Sequence, residues 1–397
     1  MTADDGTGLG ARWRGVAVPY TLLRLGGQAA EFLGWVVLAR GLGASAFGEL
    51  SIAFLACRYA GIVADWGATM RGPRDVAAEG RQGSVRAYVR TRTALALSLA
   101  AVAIAVLVLA GRPRLAPVAA VVGALGLSRD WIALGQQRGA RAAVPIAVQG
   151  AVLLLAAAAA RTAGAGAVAV ATGYGAAAVV SVALNRVPDD LARGTTRPDA
   201  WMLVAVLAIQ ITSSLDTILL GWLASTSEAG VYAAIYRIPN AWIAVLSALL
   251  AGLLPLATHA LHDDEQRFGR LRVRSLRASG KAALAVVLFA PAGALLVPVV
   301  FGTEYRDGRL PALLLLLATA VITLAAPLHP LAVSAGRDRP YALVMVGGAA
   351  LNVALNLALI PPYGMSGAAV STLAAQLVVS WLLWWLVTRQ AAGLRSG

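Results

Sequence analysis

Residues 24–79 read RLGGQAAEFLGWVVLARGLGASAFGELSIAFLACRYAGIVADWGATMRGPRDVAAE. They hold two apolar stretches of membrane-spanning length joined by a short Gly-rich turn. Each stretch carries two charges in its interior, Arg24 and Glu31 in the first and Arg58 and Asp65 in the second, and a charge in hydrocarbon costs about 2.5–3.5 kcal/mol on insertion scales. Both pairs are spaced i, i+7. That spacing is two helical turns, so each helix sets its pair on one face, which has to look into a protein-lined or watery cavity rather than into lipid.

Composition agrees with a membrane protein. At 59% hydrophobic residues, 13% charged and a mean hydropathy of +0.74, the chain is too apolar for a soluble protein of 397 residues. The single cysteine, Cys57, lies inside the second apolar run and reads as a buried small hydrophobe. His259, His262 and His329 have no metal-site spacing, so neither metal nor cofactor is expected. The N-terminus, MTADDGTGLGARWR, lacks the apolar core and cleavage site of a signal peptide, and the first run is expected to be retained.

Apolar runs fall at about 16–38, 48–68, 93–111, 115–134, 142–160, 164–185, 201–223, 229–257, 282–301, 310–335, 340–361 and 365–388. Each is close to the ~20 residues needed to cross ~30 Å of hydrocarbon, which predicts twelve transmembrane helices. Of the 33 Lys and Arg residues, 23 fall in the N-tail, the even-numbered loops and the C-tail, six in the odd-numbered loops, and four (Arg24, Arg58, Arg129 and Arg237) within helices. The positive-inside rule then places both termini in the cytoplasm. Topology thus accounts for most of the net charge of +14, and nucleic acid is not expected as a partner. One basic segment has a pattern of its own: Arg267, Arg270, Arg274, Arg277 and Lys281 share a helical face, as in an interfacial helix against anionic lipid or a partner-docking site.

A shift of 182 residues lays AFGELSIAF (46–54) over EAGVYAAIY (228–236), with Gly48 on Gly230. The openings of runs 6 and 12, GAVAVAT (166–172) and GAAVSTL (367–373), are also alike. The expected organisation is two six-helix lobes, 1–185 and 201–397, joined by a cytoplasmic linker at 186–200, RVPDDLARGTTRPDA.

Five further stretches carry a family resemblance. ARGLGASAFGELSIAF (39–54) with DWG (65–67), WIALGQQRGA (131–140), SLDTILLGWLASTSEAGVYAAIYRI (214–238), VFGTEY (300–305) and LNVALNLALIPPYGMSGAAVSTL (351–373) occur in order over nearly the whole chain. They resemble the polysaccharide and oligosaccharide flippases of the multidrug/oligosaccharidyl-lipid/polysaccharide (MOP) exporter superfamily. The resemblance implies an all-α integral membrane protein, two six-helix bundles around a central cavity, alternating access, and undecaprenyl-diphosphate-linked glycan as cargo. It also implies a bacterial cytoplasmic membrane location beside the glycosyltransferases and glycan polymerase of one pathway.

The in-membrane charges point the same way. Relatives that flip lipid-linked peptidoglycan precursor are similar in keeping cavity arginines on helices 1, 2 and 8, matching Arg24, Arg58 and Arg237 by helix. A guanidinium stays charged and forks onto phosphate oxygens, which suits a diphosphate. Arg24, Arg58, Arg237, Glu31 and Asp65 are the candidate substrate-binding residues, with internal pairing (Arg24 with Glu31 or Asp65, Arg58 with Asp65 or Asp216, Arg129 with Asp130) as the alternative. Asp216 is a candidate for proton or cation coupling, or for charge pairing. The stripes Gln210, Ser213, Ser214, Thr217 and Gly348, Asn352, Asn356 suit either interhelical hydrogen bonds or sugar contact. Pro327, His329 and Pro330 interrupt the tenth run.

Catalysis is not expected. GAGAVA (164–169) fits a dinucleotide fingerprint but follows no strand, and no P-loop is present. A multi-pass polymerase, ligase or glycosyltransferase would need a large outward loop, and none of the odd-numbered loops is long enough. A cation-coupled multidrug exporter of the same superfamily is the rival within transport, and central arginines are unfavourable for a cationic drug.

Overall fold

The computed structural model describes residues 5–77, 85–136, 138–187, 200–250, 253, 257, 265–334 and 338–393. The regular structure among these residues is all helical, with no strand among them. The helices are α1 (Asp5–Leu42), α2 (Ala44–Asp65), α3 (Ala68–Ala77), α4 (Val85–Leu109), α5 (Ala120–Leu127), α6 (Asp130–Gly135), α7 (Gly139–Ala157), α8 (Ala163–Leu184), α9 (Ala200–Leu223), α10 (Thr226–Ile235), α11 (Arg237–Leu250), α12 (Glu265–Phe301), α13 (Arg309–Ala325), α14 (Leu328–Ser334) and α15 (Asp338–Gly393). Short 3-10 turns cover Pro113–Ala119 and Thr303–Gly308.

Ten candidate membrane spans are present among the described residues. One of them, Asp338–Thr388, is 51 residues long and is not a single rod. Pro361 and Pro362 remove two backbone donors, and Gly364 takes φ 53° and ψ −135°, a conformation that excludes a Cβ and divides α15 at the boundary expected between the last two runs. The eighth run is broken differently. Pro239 offers no N–H to the Ile235 carbonyl, and the helix ends at Ile235 and restarts as α11 at Arg237. The fourth run is likewise split, because Ser128 (φ −53°, ψ 136°) leaves the helical region between α5 and α6.

Two compact units emerge, one of Met1–Leu42 with Ala53–Asp199 and one of Gly43–Ile52 with Ala200–Gly397. Except for Arg186, Val187 and Ala200, the expected linker 186–200 lies outside the described residues. In the first unit a small core joins Ala68, Val85, Tyr88, Trp131 and Ile132. The larger core of the second runs from Ala205 on α9 through Leu331 on α14 to Leu383 and Val387 on α15. Long apolar side chains elsewhere stay exposed, Leu109 at 86% and Leu288 at 73%, as a lipid solvent requires. On α9, exposed Trp201 and Trp222 lie 21 residues apart, or about 32 Å along a straight helix, the thickness of a hydrocarbon layer with an aromatic anchor at either face.

Gly48 and Gly230, the glycines that the 182-residue shift superimposes, face one another where α2 crosses α10. A Cβ on Gly48 would strike the Thr226 carbonyl oxygen and the Gly230 nitrogen, and a Cβ on Gly230 would strike the Ala44 carbonyl oxygen and the Gly48 nitrogen. Residue 44 shifted by 182 is residue 226, so the contact is reciprocal, as a local twofold requires. Next to it, Ser45 Oγ lies 3.3 Å from Thr226 Oγ1.

Two carboxylates fix helix starts near this crossing. Glu304 Oε2 accepts from the Ala44 N–H (3.4 Å), and Glu228 Oε2 accepts from the Met365 N–H (3.0 Å) just after the Gly364 break. Ser225 caps α10 by accepting from the Glu228 N–H (3.1 Å). Anions at helix N-termini are favoured by the exposed amides and the dipole. Gly48→Ala is expected to destabilise the protein by about 1–3 kcal/mol, the usual range for overpacking. Gly26→Ala, where a Cβ meets nothing within 4 Å, is expected to be neutral or stabilising. Thermal unfolding followed by size-exclusion in detergent distinguishes the two.

Candidate functional site

The face of α1 that carries Arg24 and Glu31 is polar over more than three turns. Tyr20, Arg24, Gln28, Glu31 and Trp35 follow one another at three- and four-residue steps. Arg24 donates from Nη1 to the Tyr20 hydroxyl and lies 5.7 Å from that ring's centre. Its buried Nε has no partner among the described residues, and neither has the buried Oε1 of Gln28 one turn further on. Glu31 Oε1 accepts from Trp35 Nε1 at 3.4 Å and from the Tyr174 hydroxyl of α8 at 3.3 Å. Trp35, Phe54 and Tyr174 form an edge-packed ring cluster behind it, with centroids 4.8 and 5.7 Å apart. The carboxylate is thus anchored on two aromatic donors rather than on Arg24.

Arg58 is half-buried on α2, and among the described residues neither it nor Arg24 pairs with a carboxylate. Asp65 does not serve Arg24 or Arg58. Its partner is Arg92 of α4, whose Nη2 lies on Asp65 Oδ1. Arg92 is 1% exposed, and it also donates from Nη1 to the Ser128 carbonyl (2.7 Å) and from Nη2 to the Leu125 carbonyl (2.8 Å), the open acceptors at the end of α5. The network continues through Ser128 Oγ to Asp130 Oδ2 (3.0 Å) and through Ser181 Oγ of α8 to Asp130 Oδ1. Arg129, half-buried at the break before α6, donates its backbone N–H to Ser181 Oγ (2.8 Å). Asp65 also starts α3, accepting from the Thr69 N–H (3.1 Å) and hydroxyl (2.8 Å) across a tight turn in which Trp66 has φ 52°. A bulky residue in that region costs about 1–2 kcal/mol, offset here by packing of Trp66 on the Tyr88–Trp131 core.

In the second unit Asp216 is fully buried on α9. Oδ2 accepts from the Tyr232 hydroxyl (2.7 Å) and the Thr372 hydroxyl (3.1 Å), and Oδ1 from the Thr217 N–H (2.8 Å), tying α9 to α10 and to the last part of α15. The polar stripe of α9 closes on its own helix, with Gln210 Nε2 on Ser214 Oγ (2.6 Å) and Ser213 Oγ on the Ile209 carbonyl (2.7 Å). Asn356 likewise donates to Asn352 one turn away (3.0 Å). Arg237 opens α11 directly after the break at Tyr236 and is half-buried.

A family model described as "Polysaccharide biosynthesis protein" matches residues 37–308. The chain belongs to this polysaccharide biosynthesis family. Its fold is that of MOP-superfamily exporters. An inward-facing multidrug resistance MATE family transporter of that superfamily aligns with a TM-score of 0.67 at 14% identity, covering 95% of this chain and 99% of the other. Its outward-facing counterpart gives 0.63 at 15% identity, with 96% of each chain covered. A MOP transporter from Pyrococcus furiosus, described as having a binding pocket of reversed polarity that suggests a different function, gives 0.62 at 14% with 96% of each covered. No curated protein sequence matches. With ten helices long and apolar enough to cross a membrane among the described residues, this member of the family is a multi-pass membrane protein.

Sequence reasoning missed two residues of this polysaccharide biosynthesis protein. Arg92 was expected among the basic residues of the loop before the third run. Its place on the buried stripe Val85, Tyr88, Arg92, Ala96 was the signal, since one charge on an otherwise apolar 3.6-residue stripe needs an internal partner. Gln28 was hidden between Arg24 and Glu31 at the i+4 position. Arg92→Met alone strands Asp65 and is expected to lower stability by about 3–5 kcal/mol, whereas Arg92→Met with Asp65→Leu is expected to recover much of the loss. Unfolding midpoints of the single and double variants measure the difference.

Proposed function

We propose that this protein is a flippase that carries a polyprenyl-diphosphate-linked oligosaccharide from the cytoplasmic to the outer leaflet by alternating access. The undecaprenyl lipid would supply the prenyl chain, and the glycosyltransferases and polymerase of the same pathway would stand before and after it. The observation that carries this reading is the α1 face, where Arg24 Nε and Gln28 Oε1 are both buried and without partners among the described residues. Each unsatisfied buried polar atom costs about 1–3 kcal/mol, a cost that an anionic, hydroxyl-rich ligand relieves.

Arg24 and Arg58 serve as forks for the diphosphate, and Arg237 is a further candidate for phosphate contact. Glu31, held in place by Trp35 and Tyr174, accepts from sugar hydroxyls. Asp65 takes part by orienting the end of α2 through Arg92 rather than by touching cargo. The family match supports a polysaccharide role, and the Pyrococcus transporter supports variation of pocket polarity on this fold. The rival reading, a cation-coupled exporter, would use Asp216 as an open carboxylate. Saturation of Asp216 by Tyr232, Thr372 and the Thr217 N–H weighs against it.

Moving a diphosphate of about two negative charges outward gains ~2.3 kcal/mol per charge for each 100 mV of inside-negative potential. The membrane potential is then a sufficient driving force without a coupled ion. Arg24→Ala and Arg58→Ala are each expected to cut surface glycan display at least tenfold at unchanged protein level, with Lys substitutions intermediate because an ammonium cannot fork. Normal display in both alanine variants removes the proposal.

A further inference from the structure

The basic stripe Arg267, Arg270, Arg274, Arg277 and Lys281 lies at the start of α12. α12 is 37 residues long, about 55 Å at 1.5 Å per residue, against the ~30 Å a hydrocarbon layer requires. Its apolar part, 282–301, already fills that thickness. The preceding turns therefore lie at and beyond the headgroup level. One face of the helix stays exposed along its length, and the opposite face is buried through Phe268, Ser279, Ala283, Val286, Ala290, Val297 and Phe301. The exposed face changes character once. It presents Arg267, Arg270, Arg274, Arg277 and Lys281, and then Leu284, Leu288 and Leu295 at 59%, 73% and 62% exposure.

An open notch of about 440 Å³ lies within the charged part, lined by Gln266, Gly269, Arg270, Val273, Arg274 and Arg277. Gly269 is one of its lining residues. A Cβ there would meet nothing within 4 Å, so packing does not require glycine, and glycine within a helix costs about 0.8–1.0 kcal/mol relative to alanine. A longer side chain at this position would take up space in the notch.

We propose that this notch is a binding site for the phosphate-bearing headgroup of an anionic phospholipid of the surrounding leaflet. The lipid's acyl chains lie along Leu284, Leu288 and Leu295 below it. Arg270, Arg274 and Arg277 match a phosphodiester in charge, and Arg274 and Arg277 offer paired N–H donors. The occupant is a lipid rather than an acidic protein segment because the same face runs without interruption into lipid-exposed leucines, which a soluble partner would leave uncovered. The site goes beyond the flippase reading and does not depend on it.

Native mass spectrometry of the detergent-purified protein, incubated with phosphatidylglycerol, phosphatidylcholine or a polyprenyl diphosphate, tests the assignment. The wild type is expected to retain phosphatidylglycerol at least about fivefold over phosphatidylcholine. Gly269→Leu removes no charge and favours the helix, so it is expected to fold, and it should lower that retention several-fold. The combined Arg270→Gln, Arg274→Gln and Arg277→Gln variant should abolish it. Equal retention by wild type and Gly269→Leu overturns the site even if the triple variant loses lipid, because loss through charge alone marks diffuse attraction. Preferential retention of the polyprenyl diphosphate over phosphatidylglycerol overturns the phospholipid assignment. Glycan display in Arg24→Ala cells reads the flippase proposal and lipid retention by Gly269→Leu reads this one, so the two fail separately.

Discussion

Charge placed inside hydrocarbon-length helices is the constraint on which this structure rests. Arg92 and Asp65 show how the chain meets it structurally: one guanidinium, almost wholly buried, is shared between a carboxylate and two carbonyls at the end of α5. Its removal would leave Asp65 without its counter-charge and the Leu125 carbonyl without this donor, with only Thr69 still donating to the acid. Helices α2, α4, α5, α6 and α8 are thus tied by a single side chain and the Asp130–Ser181 link beside it. In a medium of low dielectric, such a knot is held in place less by its own strength than by the cost of opening it.

The α1 face is built on the opposite principle. Glu31 is supported from behind by aromatic donors, while Arg24 and Gln28 keep buried atoms without protein partners. Asp216 belongs with Arg92, since its three donors from two other helices and its own neighbour leave it nothing to offer a ligand. Counting satisfied hydrogen bonds therefore separates charges that join helices from charges with buried atoms that the described residues leave unmet, a distinction that position in the membrane alone does not make.

Much of this organisation could be read from the chain. Helix lengths followed from hydrophobic runs, because hydrocarbon thickness fixes span length whatever the side chains do. The alignment of Gly48 with Gly230 came from a short internal match, and it marks the backbone crossing where neither glycine can be replaced without collision. Partnership was less legible. A spacing of i, i+7 puts Arg58 and Asp65 on one face, but it contains no information about a third helix arriving with Arg92. The splits at Ser128 and Tyr236 were hidden for a related reason. Both lie inside runs of spanning length, and hydropathy records only burial, not whether the backbone keeps its helical turn.

The tryptophans of α9 have a consequence of their own. Trp201 and Trp222 hold a rigid interval of about 32 Å, so a bilayer with a hydrocarbon layer nearer 27 Å has to thicken locally or let this rod lean by about 30°. Since α9 also carries Asp216 and its ties to α10 and α15, any lean would be passed to those helices. Acyl-chain length becomes a mechanical input to the second unit, set by the host membrane rather than by the sequence.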